Sequence, residues 1–397
     1  MTMAESKKQQ NPIFGDPDQG TLDQYEDVLL RAERGALMAD AHLGYVMPIG
    51  GVVAYRNKVS PVGVGFDIGC GNMAVKLDRK AHDFDVSAAL DIIQSRINFG
   101  LGGTNPDGPQ DHKLFDAPEW RAIPGHVRGD LKQKAREQLG TVGSGNHYVD
   151  IFQDEESYIW IGVHFGSRGF GYKTAQGFMN LSQDKDWNGN FEQEEVLLDL
   201  NTPLGHDYFA AMNLAGRYAY AGREWVCYTL AEAFDSIILE EVHNNHNFAW
   251  KEEHDGEELI VVRKGATPAF PGQRGFVGGS MGDISVILEG LDSNESRQAL
   301  YSTIHGAGRL MSRTQAKGNY RGRDLSQSAI KPDMIYNRLQ KMGVELRGGG
   351  LDEAPQVYRD LKEVLQNHED TIRIVHRLHP LGVVMDGPEY FNPAKPG

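Results

Sequence analysis

Three short apolar runs limit the fold most strongly: YIWIGV (158–163), ELIVVR (258–263) and ISVIL (284–288). Each reads as a buried strand. Helical patterning lies elsewhere. It covers 21–34, with Thr21 as a plausible N-cap, then 86–98, then the long apolar stretch 206–240 as one or two interior helices. A last helical segment, 355–376, opens with Pro355 at a favourable first-turn position. Strands and helices do not alternate regularly, so a doubly wound parallel sheet is excluded and a mixed α+β architecture is expected. Segments 101–110 and 181–192, rich in Gly, Asn and Asp, read as loops. Residues 1–20 read as a flexible arm. No repeat or linker interrupts 21–397, which is expected to be a single domain.

The 47 glycines point to many turns and to backbone passing close to a ligand. A net charge of −15 excludes a protein that merely coats nucleic acid, because phosphate neutralisation requires a basic surface. Any nucleic-acid site must be a local basic pocket. Two cysteines, Cys70 and Cys227, make no disulfide framework. The N-terminal MTMAESKKQQNPIFG lacks a signal-peptide core, and the apolar stretch 36–55 is broken by Asp40, His42 and Pro48. A reduced, cytoplasmic protein without a membrane span is expected.

Several segments carry residues suited to chemistry. VGFDIGCGN places Asp67 three residues before Cys70 among glycines, where a carboxylate and a thiolate can grip or bridge metal ions. Taken alone, Cys70 reads equally as a small buried hydrophobe. His147 follows GTVGSGN. His164 ends YIWIGV and opens a Gly-rich loop with Arg168, whose planar fork suits a phosphate. EVHNNHNFAWKEEH holds His243, His246 and His254. The first two could share a helical face, and His254, in a charged run, is expected to face solvent. The run 263–283 has the glycines of a phosphate-cradling loop but not the spacing of a P-loop. In STIHGAGRLMSR, His305 stands beside small residues that leave room for attack on phosphorus, and Arg309 and Arg313 are four apart.

In this order, DAHLGYVMPIGGVVA, VGFDIGCGN, GTVGSGNH, VHFGSRGFG, HNFAWKEEH, RKGATPAFPG, GGSMG, STIHGAGRLMSR, DEAPQVYRD and PLGVV resemble the RtcB family of RNA ligases, from about residue 36 to about 384. The resemblance implies an α+β domain with mixed or antiparallel sheets around a metal-containing central cleft and helices outside. It implies joining of RNA 3′-phosphate or 2′,3′-cyclic phosphate ends to 5′-hydroxyl ends, with GTP and two Mn²⁺ ions. Asp67, Cys70, His147, His164 and His246 would be the metal ligands, Cys70 bridging two ions. His305 would carry the guanylyl group. Asn146, Asp150, Asn247, Ser280, Ala307, Gly308 and Tyr358 would line the guanylate pocket, and Arg168 and Arg313 would hold RNA phosphate. The family can also use an accessory activator protein.

Two positions depart from the family's pattern. Where it usually ends PLGVVKG, this chain reads PLGVVMDG, so Met385 replaces a lysine. Asp150 stands where a glutamate is usual. Both departures concern the nucleotide pocket rather than the metal ligands. The alternatives are a metal-dependent cyclic-phosphate hydrolase or a nucleotidyltransferase with another nucleotide choice, a zinc hydrolase, and a catalytically silent RNA-binding protein.

Overall fold

The computed structural model describes residues 11–109, 111–192, 194–318 and 328–387. With strands numbered along the chain, β1 (Arg34–His42), β2 (Ile49–Tyr55), β9 (Asn247–His254) and β10 (Glu257–Lys264) form one sheet, ordered β1-β2-β10-β9. A larger sheet holds β4 (Gly71–Lys80), β5 (Tyr148–Gln153), β6 (Tyr158–Phe165), β8 (Ile238–Asn245), β12 (Arg274–Val277), β13 (Ser285–Gly290), β15 (Glu345–Arg347) and β16 (Ile372–Met385). Its order is β12-β13-β16-β5-β6-β4-β8, with β15 beside β16. Two small pairs complete the set, β3 (Lys58–Val59) with β7 (Leu198–Asp199) and β11 (Ala266–Pro268) with β14 (Ser302–Ile304). Only β15–β16 is parallel among these pairings, as expected for an α+β rather than a doubly wound fold.

The large sheet curls until its two ends face each other. Asn244 Oδ1 on β8 accepts the Phe276 N–H of β12 at 2.8 Å, and Asn72 Nδ2 on β4 donates to the Phe276 carbonyl at 2.9 Å. Side-chain amides thus satisfy part of an edge that would otherwise offer bare backbone groups. Strand alternation sorts the two faces. Met73, Val75, Ile151, Ile161 and Val163 pack outward under the helices Val86–Arg96 and Pro203–Ala233. Ala74, Phe152, Trp160, Phe276, Ile287 and Leu378 fill the interior of the curl. Gly162 keeps that interior closable, because a Cβ there would lie 2.6 Å from the Phe152 ring.

The three strand runs lie in β6, β10 and β13, and 86–98 contains a helix. Other boundaries move. The first helix is Gln19–Leu29, and Asp18, not Thr21, is its N-cap: its carboxylate accepts the Thr21 N–H. Residues 206–240 are a helix only to Ala233, and the rest enters β8. The segment 355–376 is a short turn, a helix Leu361–Gln366, and then β16, whose long pairing with β13 and β5 overrides the helical pattern. Of the proposed arm, 1–10 lie outside the described residues. Asn11 accepts the Gly35 N–H, Ile13 bridges Leu37, and Phe14 stacks on His368. Among the described residues no helix is long and apolar enough to cross a membrane.

Candidate metal and nucleotide site

Register gathers the candidate ligands. Tyr148 at the start of β5 pairs with His164 at the end of β6. His164 pairs with Asn72 at the start of β4, and Gly71 pairs with Asn245 at the end of β8. Antiparallel neighbours thereby bring His147, His164, Cys70 and His246 to one end of the sheet. His246 is the single residue between β8 and β9, where the chain leaves one sheet for the other. Its N–H donates to the Cys70 carbonyl at 2.8 Å, so backbone ties the two positions together.

The side chains meet as well. Cys70 Sγ lies 3.2 Å from His164 Nε2 and 3.8 Å from His147 Nε2, and His147 Nε2 lies 3.1 Å from Asp67 Oδ2. The donor atoms of Cys70, His147 and His164 all fall within 4.8 Å of one another. From there imidazoles form a row: His147 to His164 at 5.5 Å between ring centroids, His164 to His246 at 5.1 Å, His246 to His305 at 5.0 Å. Gly166 lets Asp67 approach, since a Cβ there would strike its carboxylate.

Burial drives the His164 and His246 imidazoles well below the ordinary histidine range, and neighbouring imidazoles add to it. Both rings are therefore neutral near pH 7. Burial pushes the Cys70 thiol up, with Asp67 adding to the effect. Among the described residues the buried Nδ1 atoms of His147 and His246 have no hydrogen-bond partner. A thiol, a carboxylate and imidazoles whose nitrogen atoms converge within 4.8 Å fit a divalent cation, which would hold the sulfur as thiolate.

His305 follows β14 and lines a cavity of about 200 Å³. Asp40, wholly buried on β1, was not singled out from sequence as a site residue. Its Oδ2 accepts the backbone N–H of His305 and of Gly306, at 3.0 and 3.2 Å, and lies 2.6 Å from His305 Nδ1. Burial pushes the Asp40 carboxyl up, but the contacts with His305 outweigh it and the net shift is downward. His42, also not singled out, lines the same cavity, and its Nδ1 stands 3.1 Å from the Asp40 carbonyl. Arg223 is a third such residue. Fully buried in the Pro203–Ala233 helix, it donates to the carbonyls of Gly69 and Phe165, to Asn245 and to His243. A cation within the long apolar stretch was its sequence signal. His243 is thus committed to Arg223 and stacks on Tyr220, apart from the row of imidazoles.

Of the proposed nucleotide residues, Asn146, Asp150, Ser280, Ala307, Gly308 and Tyr358 line the His305 cavity, together with Met385. Asp150 is buried, its carboxyl is raised well above the usual range by desolvation, and among the described residues Oδ1 has no hydrogen-bond partner. Asn247 lines the adjoining groove and accepts the Gly265 N–H at 2.7 Å. Arg313 lines both spaces and pairs with Asp352 and Glu353. Arg168 lies behind the His147 loop, bonded to the Gly100 carbonyl and Thr141. His254 does not face solvent. It is buried, 2.8 Å from Glu252 and stacked by Phe270 and Tyr301, because β9 turns it inward.

The profile of the family described as "tRNA-splicing ligase RtcB" matches residues 28–123 and 110–386. The chain is 31% identical to an Entamoeba dispar protein named "RNA-splicing ligase RtcB homolog 1", covering 87% of this chain and 78% of that protein. It is 30% identical to "tRNA-splicing ligase RtcB" of Thermococcus kodakarensis, over 87% and 86% of the two chains. It is also 30% identical to "RNA-splicing ligase RtcB" of Escherichia coli, over 86% and 88%.

Proposed function

The chain belongs to the RtcB family, and from that premise we propose that it is a cytoplasmic GTP- and Mn²⁺-dependent RNA ligase. It joins an RNA 3′-phosphate or 2′,3′-cyclic phosphate end to a 5′-hydroxyl end, in RNA repair or tRNA splicing. The observation that carries this reading is the unbroken row from the Cys70–His147–His164 donor cluster through His246 to His305, which opens into the cavity.

Asp67, Cys70, His147, His164 and His246 would hold the divalent cations, which supply Lewis-acid polarisation of phosphate oxygens. Asp40 stands beside Nδ1, which leaves Nε2 of His305 to act as the nucleophile. Nε2 bonds to the α-phosphorus of GTP, the bond to the β-phosphate oxygen breaks, and pyrophosphate leaves. The Asp40 carboxylate then offsets the positive charge on the substituted ring. An oxygen of the RNA 3′-phosphate displaces His305 from phosphorus, returning the electron pair to Nε2. The 5′-hydroxyl attacks the activated RNA phosphorus, and GMP departs. Arg313 and Arg168 would hold RNA phosphate, and a cyclic phosphate is first opened by water.

Incubation with α-labelled GTP and Mn²⁺ tests the reading. Label bound to the protein, stable to alkali, lost in acid and absent from His305→Ala is the expected result. Absence of label on the wild-type chain overturns it. A second reading keeps the centre and changes the nucleotide. It is favoured by Met385 and by the partnerless Oδ1 of Asp150 in the cavity wall, and labelling by another nucleotide in preference to GTP would select it.

A further inference from the structure

A groove of about 780 Å³ adjoins the His305 cavity, sharing His42, Ile49, Asn146, Arg309 and Arg313 with it. One wall begins at Asp67, a candidate metal ligand, and continues directly into Phe66. Phe66 stacks on Tyr172 at 5.2 Å and meets the edge of Tyr45 at 6.1 Å. Tyr45 is 62% exposed and Tyr172 is 47% exposed. Large aromatic rings held this open, beside an acidic and polar site, are not core residues.

Tyr45 is also held in place. The side chain of Gln24, on the Gln19–Leu29 helix, brackets its turn: Oε1 accepts the Gly44 N–H, and Nε2 donates to the carbonyls of Gly44 and Tyr45. The backbone is fixed while the ring projects outward, so little ordering is lost when the ring is used.

The same groove contains an uncommitted cation. Arg309 and Arg313 are paired with Glu353 and Asp352. Lys264 is nine-tenths buried, yet among the described residues its Nζ has no hydrogen-bond or ion-pair partner, and it lies 5.9 Å from the Tyr45 ring centroid. Burial pushes its ammonium down to about 8, with Glu195 opposing the shift. Its stem is buried while the ammonium reaches the groove, where it can meet an incoming anion. An exposed ring beside such a cation matches single-stranded nucleic acid, which offers a base to stack and a phosphate to neutralise.

We propose that this groove takes the single-stranded end of the RNA substrate, with a base on Tyr45 and a backbone phosphate on Lys264. The inference rests on the RNA-ligase reading and adds to it where the strand runs. Continuity from Phe66 to Asp67 directs that strand toward the candidate metal centre.

The test is the affinity for a short, labelled single-stranded RNA bearing a 3′-phosphate, measured by fluorescence anisotropy with Mn²⁺ present. Tyr45→Ala is expected to weaken binding on the order of ten-fold, Tyr45→Trp to restore it, and neither to move the thermal unfolding midpoint. Lys264→Met is expected to lower the salt dependence of binding by about one counter-ion. RNA binding by Tyr45→Ala equal to that of the wild-type chain, or no rescue by Trp, overturns the proposal and leaves the groove to a protein partner. The ligase reading fails separately, when wild-type His305 takes no label from GTP while RNA binding still depends on Tyr45.

Discussion

Asp40 Oδ2 stands 2.6 Å from His305 Nδ1 and also accepts the N–H of His305 and of Gly306, so a single carboxylate fixes both the ring and its backbone. Asp40→Asn keeps the shape and removes the charge. A charged hydrogen bond contributes about 1.5–3 kcal/mol, so nucleotide attachment to His305 should slow about ten- to a hundred-fold. Single-turnover labelling from GTP checks this, and an unchanged rate would remove Asp40 from the positioning of His305.

Cys70 Sγ faces both His147 and His164, at 3.8 and 3.2 Å from their Nε2 atoms. Cys70→Ala should lose most bound metal, read by elemental analysis after dialysis against Mn²⁺. His305→Ala should keep its metal and lose nucleotide attachment. Equal metal content in the Cys70→Ala and wild-type chains would rule out the bridging role.

Acid should destabilise the fold through buried histidines outside the donor cluster. Burial pushes His42 and His368 down to about 4. In the unfolded chain such rings take protons below about pH 6.5, while the folded rings stay neutral down to about 4. Stability from these two groups is therefore present above about pH 6.5 and is lost as pH falls toward 4, each contributing about 1.4 kcal/mol per pH unit. Urea midpoints across this range measure the slope, and His368→Gln should flatten it. A midpoint that does not fall between pH 6.5 and 5 contradicts the assignment.

Met385 lines the nucleotide cavity. Met385→Lys should tighten guanine-nucleotide binding about ten- to a hundred-fold if a charged hydrogen bond of about 1.5–3 kcal/mol forms. Calorimetric titration with GMP reads it directly. Unchanged affinity would mean that nothing at this position meets the base.

Gly162→Ala tests the interior of the curl. Overpacking against Phe152 and Phe276 should cost about 1–3 kcal/mol, seen as a lower denaturation midpoint. A neutral effect would mean that these rings can shift.

Short apolar runs were legible as strands because burial on both faces leaves an unbroken apolar signature, as in β6 and β10. β16 was not. Its fourteen residues mix buried and exposed positions while the strand changes partner from β13 to β5, so no clean period of two survives. The His243–His246 spacing suggested a helix face. Instead a strand ends between the two residues, which separates a histidine held by Arg223 from one in the row. Asp40 and Arg223 stood in plain view as charges within apolar stretches. Asp40 meets His305, 265 residues away, and Arg223 meets Gly69, 154 residues away, separations that no local pattern encodes.

The corner at His246 has a consequence for assembly. The residues of the row come from widely separated parts of the chain, and this one joins the two sheets at the turn from β8 to β9. Cys70, His147, His164 and His246 gather at one end of the large sheet, whereas His305 follows β14 in a separate pair. Capacity to hold metal should therefore appear with the large sheet and nucleotide attachment only once β14 docks beside it, which makes the two readouts reporters of successive stages of folding in this chain.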